Sequence, residues 1–460
     1  MKKGIKNTLI IIILFISIAG VILPRRLNDL DEIWNYNFAR CIANGLLPYK
    51  DFNMVQTPLL PIICGTILKL TFNELFIMRI LAVILMTMCL FVIYKILEIL
   101  NIHTYIVKIS IIGIYLLLYK YFCIDYNFCV LLIILFVIYI EIKNKKEKIM
   151  EAQFKHDFLL GILVGTSILF KQTTGLALIL VFTFYKILLA NNKQDFKTIL
   201  NIIINRTFGV LIPIGIFLIY LAKNNIWKDF LNYTVYSLNT FSNKISYIYL
   251  LNGSYGVVLQ ILSIIIPSTI LIMYYLAVFK KHTTKEQENI FILFCYSVAS
   301  LIVVYPISDN IHFLIGAAPS LIALIYLTYI VTKKLIEKSA NAKQLKFEIK
   351  CFIKAFGYLS IIVIMTVSVY NLIKYIKVAY NYKDLKHFKY IPTSIESIKN
   401  VDNYILEQNI NGKKVYILDA NAAIYMIPID KYNKDYDMFL KGNLGVRGEE
   451  RTNRKTKKRK

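Results

Sequence analysis

The sequence predicts an all-α polytopic membrane protein with about 11 transmembrane helices, followed by a small α/β segment. Three observations carry that expectation. Of the 460 residues, 57% are hydrophobic and mean hydropathy is +0.57, above an ordinary soluble domain. The apolar residues fall in blocks of about 17 to 25, long enough to cross a bilayer. The formal net charge of +26 lies mainly in short lysine-rich loops between those blocks, where basic residues orient spans. No nucleic-acid partner is therefore expected.

The first block, 7–24, follows Lys2, Lys3 and Lys6. No small-residue cleavage site comes after it and further spans do, so it reads as a retained first span and not as a signal peptide. The remaining spans fall near 74–99, 104–120, 122–142, 158–170, 173–190, 204–223, 255–279, 289–307, 312–332 and 352–371, with two short ones meeting at Lys171. By the positive-inside rule the lysine-rich loops at 143–148, 191–197, 280–286 and 333–346 are cytoplasmic. With the N-terminus and Lys143 both inside, an even number of crossings must separate them. The short apolar stretch 58–70 then lies in or re-enters the interface. The same parity places five regions on the outer face of a bacterial plasma membrane. These are the stretch after the first span, the loop around Asp125, the Lys171 junction, the loop 224–254 with the "SDNIH" turn, and everything beyond 372.

The transmembrane domain is thus expected to occupy 1–372, with 25–57 as its first outer loop. Residues 373–446 form the small outer segment, with a capped helix at 393–409 and a strand at 414–419. The run 447–460, with ten of its fourteen residues charged, reads as a solvated, disordered tail. A C-terminus cut short or shifted in frame is the alternative. The seven Cys show no CxxC or other ligand spacing, which leaves no disulfide framework or metal knuckle to expect.

The most informative stretch is 29–52, "DLDEIWNYNFARCIANGLLPYKDF". Ile33, Tyr36, Asn37 and Arg40 fit a helix that begins after an Asn28 or Asp29 cap. Asp31 and Glu32 fall in its first turn, where the helix dipole favours them. On their own these acids need do no more than start an interfacial helix. Arg25 and Arg26 at the outer end of the first span, and a Pro48, Tyr49, Asp51 turn after the helix, favour something more.

The order of first span, outer "DE" plus aromatic helix, "GLLPYKDF" and "QTPLLP" resembles the integral-membrane C-type glycosyltransferases, in particular the family 39 protein mannosyltransferases and the bacterial aminoarabinose transferases. The resemblance extends through the span order over roughly 1–372. It implies a membrane glycosyltransferase that moves a sugar from a polyprenyl-phosphate-linked donor to an acceptor at the outer face. It assigns the general base to Asp31, with Glu32 beside it and Asp29 as rival. A carboxylate is needed to take the proton of the attacking hydroxyl or amine, and one suffices for a single inverting displacement.

Asp125, in "YKYFCIDYNF", is either an ordinary turn residue or the second acid that the family places in its second outer loop, binding sugar or supporting the base. Lys171, in "LFKQTTGL", interrupts an apolar run at a cost of about 2.5 to 3.5 kcal/mol on insertion scales. It is a candidate for the donor phosphate, with Gln172 beside it, or else a snorkelling side chain at a tight turn. Arg79 is a second phosphate candidate or an interface anchor. Tyr36 is a donor-binding candidate on the α-helix of the first loop. His312 and Asp309, in "YPISDNIHFLIGAAP", match a late-loop feature of some members and take a supporting role. Mg²⁺ or Mn²⁺ held by Asp31, Glu32 or Asp125 is compatible with hard-cation preferences. There is no P-loop, HExxH, GxSxG or GxGxxG pattern, and only five His. Two other functions stay open: a transporter or flippase of lipid-linked sugars, and a catalytically inactive membrane assembly protein.

Overall fold

The computed structural model describes residues 3–27, 30–147, 153–189, 193–237, 244–279, 285–337, 342–379, 385–392, 395–413, 415, 417, 422–431 and 445. In chain order the helices are α1 (Lys3–Ile22), α2 (Leu30–Ala43), α3 (Leu59–Leu70), α4 (Leu75–Ile99), α5 (Thr104–Leu118), α6 (Tyr126–Glu147), α7 (Gln153–Phe170), α8 (Gln172–Phe184), α9 (Lys193–Lys223), α10 (Trp227–Thr234), α11 (Ile248–Leu251), α12 (Val257–Tyr274), α13 (Lys285–Leu301), α14 (Asn310–Glu337), α15 (Ala342–Ala379), α16 (Ile395–Ile410) and α17 (Ala422–Met426). Among the described residues there is no strand, only isolated bridges between Pro48 and Phe52 and between Ile245 and Ile307. The strand expected at 414–419 lies outside the described residues apart from 415 and 417, as does the tail 447–460.

Nine of the helices among the described residues are long and apolar enough to cross a bilayer: α1, α4, α5, α6, α9, α12, α13, α14 and α15. The chain is a multi-pass helical membrane protein. The two short spans expected at 158–170 and 173–190 correspond to α7 and α8, and α8 has only 13 residues. Helices α9 and α15 outrun their expected apolar blocks furthest. α9 starts at Lys193 and α15 runs for 38 residues, because Lys, Gln and Glu propagate a helix as well as most apolar residues do once it has begun.

Successive crossings alternate, so the polar turns gather at two ends. At one end Lys6 meets Glu98 at 3.0 Å, His103 packs edge-on against Tyr329 and Asn144 contacts His156 at 3.2 Å. This is the lysine-rich end. At the other, Arg25 donates to the carbonyls of Phe122 and Tyr119, and the backbone N–H of Leu75 donates to the His387 carbonyl. Helix α3 both starts and finishes there. Thr57, just before it, donates to the Ile168 carbonyl at 2.8 Å, and the Asn73 carbonyl just after it accepts from Tyr36 at 2.8 Å. It returns to the end it left, so an even number of crossings separates Lys6 from Lys143.

Small residues allow the closest approaches, as bilayer helix packing requires where no hydrophobic drive separates protein from lipid. Helices α7 and α9 meet along Gly161, Gly165 and Gly209; a Cβ on Gly161 would stand 2.5 Å from the Arg206 carbonyl and one on Gly165 2.6 Å from that of Val210. Beside this seam lies a buried ion cluster that the sequence reading did not single out. Arg206 donates to Asp157 at 2.9 Å, to Glu141 and to the Phe182 carbonyl, and Tyr185 donates to Glu141 at 2.7 Å. Lys186 approaches Glu141 at 3.7 Å, so two cations face two carboxylates and the cluster reads as a clamp joining α6, α7, α8 and α9.

Candidate functional site

At the end opposite the lysines, the start of α2, the turn before α6, the junction of α7 with α8 and the turn before α14 come together. Helix α2 is buried on most of its circumference, from Ile33 and Trp34 to Phe38 and Cys41, because α3 covers it closely. A Cβ on Gly65 would lie 2.6 Å from the Ala39 carbonyl. The cap expected at Asn28 or Asp29 lies outside the described residues. Asp31 and Glu32 occupy the first turn as expected.

Their surroundings differ sharply. Both Glu32 carboxylate oxygens accept from Arg79, at 2.8 and 2.9 Å, and the remaining Arg79 nitrogen donates to the carbonyls of Leu23 and Arg25. The pair is buried, with Arg79 at 1% and Glu32 at 5% exposure. This bidentate bridge locks α2 to the ends of α1 and α4. Of the two expectations for Arg79, phosphate binding or anchoring, the contacts seen here are those of an anchor, and Glu32, the expected neighbour of Asp31, is its partner. Every nitrogen of the Arg79 guanidinium and both oxygens of Glu32 are engaged in these bonds. The Tyr36 hydroxyl is buried and donates to the Asn73 carbonyl. One turn of helix thus sends Glu32 and Tyr36 inward.

Asp31 is half-buried. It lies close enough to Tyr126 for its carboxylate to act on that hydroxyl, and Asp125 acts on the same group. Asp125 caps α6 by accepting the Asn127 backbone N–H at 2.7 Å. The turn role and the site role therefore coexist in one residue. Burial pushes its carboxyl above the usual range, against the pull of the Asn127 N–H and of His312 and Lys171 nearby.

Lys171 stands at the break between α7 and α8, in extended conformation with φ −147° and ψ 121°. The break is fixed by small residues: a Cβ on Gly175 would run into the backbone of Ile168. The ammonium donates to the Asn127 side chain at 2.6 Å and lies 5.5 Å from the centre of the Tyr126 ring. Asp125 and Asp309 are both within its electrostatic reach. Gln172 donates to the Val55 carbonyl at 2.7 Å, so it ties the first loop to this junction. Asp309 accepts from both the His312 backbone N–H and its ring, each at 2.8 Å. Burial would raise the Asp309 carboxyl, but those His312 contacts hold it below the usual range.

Asp31, Asp125, Lys171, Asp309 and His312 therefore share one neighbourhood, and Glu32, Arg79, Tyr36 and Gln172 build its walls. Asn127, Tyr126 and Gln56 also belong to it. The Tyr126 hydroxyl is within hydrogen-bonding reach of Asn127 and Gln56. The available sequence signal was the "DYN" run, an acid followed two residues later by Asn at a helix start. Among the described residues no three His, Cys, Asp or Glu side chains gather as a metal-holding set. Of the carboxylates Asp31, Glu32 and Asp125, Glu32 is held by Arg79 through both of its oxygens.

The arrangement sets half-buried Asp31 and buried Asp125, whose carboxyl is shifted upward, beside the Lys171 ammonium. That is the equipment for moving a proton and steadying an anion at the boundary of the bilayer. No protein-family model matches the chain, and no curated protein matches it in sequence. Fold and site define the class alone: a multi-pass helical membrane protein with a carboxylate-bearing polar site at one end.

Proposed function

We propose that the protein is a membrane glycosyltransferase that moves a sugar from a polyprenyl-phosphate-linked donor to an acceptor at the outer face of a bacterial plasma membrane. The observation that carries this reading is the meeting of Asp31, Asp125 and Lys171 at one end of the bundle, where a lipid-borne phosphate in the bilayer interface would come level with them. The resemblance of the first loop to C-type glycosyltransferases supports the same assignment.

In the proposed reaction the acceptor oxygen or nitrogen attacks the anomeric carbon of the donor sugar. The bond from that carbon to the phosphate oxygen breaks, and its electron pair leaves with the polyprenyl phosphate. Asp31 takes the acceptor proton, and Lys171 balances the charge that grows on the leaving phosphate. Asp125, whose carboxyl keeps its proton more readily, is suited to donate a hydrogen bond to a sugar hydroxyl. His312 and Asp309 hold the far wall. With one base and no second carboxylate acting as nucleophile, the anomeric configuration inverts.

The test is transfer of labelled sugar from a polyprenyl-phosphate donor by the full-length protein in vesicles. Asp31→Asn should lower transfer by about 10²- to 10⁴-fold while donor lipid still binds. Transfer at the wild-type rate would remove Asp31 as the base. Movement of the labelled lipid across the vesicle with no glycosylated product would replace the enzyme reading by a transport one.

A further inference from the structure

Helix α15 carries most of its surface outward, with Phe352, Leu359, Ile362 and Tyr370 among its exposed side chains. It touches α1 where both are small. A Cβ on Gly20 would lie 2.6 Å from Ser368, and Ser368 donates to the Ser17 carbonyl, which also accepts from Tyr115. Toward the lysine-rich end a groove of about 420 Å³ opens between α1, α5 and α15, walled by Leu9, Ile13, Ile111, Ile361 and Ile364. Its mouth runs into a second hollow of about 380 Å³ that shares Thr104, Lys108 and Tyr358 with it and adds His103, Lys350 and Lys354. Both volumes are in the range of small-ligand sites.

The two hollows differ in chemistry and lie in register. Along α15, Lys350, Lys354, Tyr358, Ile361 and Ile364 form one stripe at helical spacing, basic at one end and apolar at the other. From Lys354 to Ile364 the stripe rises about 15 Å. Lys108 lies 4.5 Å from the centre of the Tyr358 ring, so it faces the same boundary. The nearby acid Glu98 is engaged by Lys6 and Lys95, and Glu348 accepts from Gln344 at 2.9 Å. Among the described residues no carboxylate pairs with Lys108, Lys350 or Lys354. The basic hollow thus keeps an uncompensated positive charge directly above an apolar slot.

We infer that this composite groove binds an anionic glycerophospholipid, with one acyl chain between α1, α5 and α15 and the phosphate headgroup at Lys108, Lys350 and Lys354. Charge decides the occupant. A zwitterionic lipid would fill the slot but leave the lysines unmatched. A second copy in the same orientation would bring the same basic surface against this one. Basic pockets between transmembrane helices are suited to anionic headgroups. The bound lipid would bridge α15 to α1 and α5 on the lysine-rich side of the Gly20 contact. The site lies at the end opposite Asp31 and does not depend on the proposed transferase activity.

The experiment is native mass spectrometry of the full-length protein titrated with phosphatidylglycerol and, separately, phosphatidylcholine of the same acyl chains. Phosphatidylglycerol should be retained in preference. Lys350→Ala with Lys354→Ala should weaken it roughly 30-fold and leave phosphatidylcholine unchanged. Ile361→Trp, which fills the slot and leaves every lysine in place, should lower retention of both lipids. Equal binding of the two lipids, or no change on removing the lysines, would overturn the inference. So would displacement of phosphatidylglycerol by inorganic phosphate alone, which would mark a free-anion site. Tighter competition by undecaprenyl phosphate than by phosphatidylglycerol itself would assign the groove to a carrier lipid instead.

Discussion

Asp31 and Glu32 are adjacent in sequence and yet face different worlds. Successive residues on a helix point about 100° apart, so when Glu32 turns inward to Arg79, Asp31 is left at the edge facing Tyr126. The bridge itself is expected to be a major anchor. Removing one partner leaves the other charge buried and uncompensated, at a cost of about 3–5 kcal/mol. Glu32→Gln and Arg79→Met should each lower thermal stability strongly, and the double variant should recover much of the loss. Additive losses in that cycle would show that the two do not act as a pair. No spacing rule could have linked these residues, since 47 positions separate them; only the packing of α4 against α1 and α2 brings Arg79 to Glu32.

At the scale of elements, one helix seam and one single helix make distinct predictions. The α7–α9 seam depends on glycine, because their backbones approach too closely for a side chain. Gly209→Leu should separate the pair, disturb the Arg206 clamp beside it, and lower the yield of folded protein. A variant with wild-type stability would show that the seam can open freely. Helix α16 carries Asp402, which is buried with one carboxylate oxygen lacking a hydrogen-bond partner. Burial pushes its carboxyl up to about 7. The folded state then holds the proton more tightly than the unfolded chain, whose value is about 3.9. Stability of this helix should fall as pH rises from about 4 to about 7 and level off above that. Asp402→Asn should abolish the trend, read by hydrogen exchange in α16 between pH 5 and 8. A pH-independent wild type would contradict it. The helix expected at 393–409 is described over Ile395–Ile410, its expected Thr or Ser cap lying outside the described residues, whereas the burial of Asp402 was not legible, since an acid in an amphipathic helix normally faces water.

At the scale of the whole molecule, residues distant in the chain close the end that holds the site. Asp430, beyond α17, accepts from Arg40 of α2 at 2.6 Å, contacts His387 at 2.7 Å and pairs with Lys386. Burial would raise its carboxyl, but Lys386, Arg40 and His387 hold it below the usual carboxylate range. A carboxylate with a lowered value contributes stability above about 3.9 and loses it only in stronger acid, so this latch should be closed at neutral pH. Asp430→Asn should open it there. The expected sign is faster hydrogen exchange in α2 and in 385–392, with the distant α5 unchanged; unaltered exchange in α2 would show that the latch does not hold it.

Hydropathy and lysine placement suffice to indicate a multi-pass helical protein and to keep 58–70 from crossing, because a bilayer accepts only long, internally hydrogen-bonded apolar segments. Lys171 was conspicuous in the sequence because a charge interrupting an apolar run is costly, whereas Asp31, Asp125, Asp309 and His312 were picked out with the help of the family resemblance. What the sequence could not decide is which of those groups remain open to a ligand. Arg79 and Tyr36 were candidates beside Lys171, and the folded chain gives Arg79 to Glu32 and the Tyr36 hydroxyl to the Asn73 carbonyl. Whether a charge serves packing or chemistry depends on which distant groups surround it, and that is fixed by the tertiary arrangement of helices.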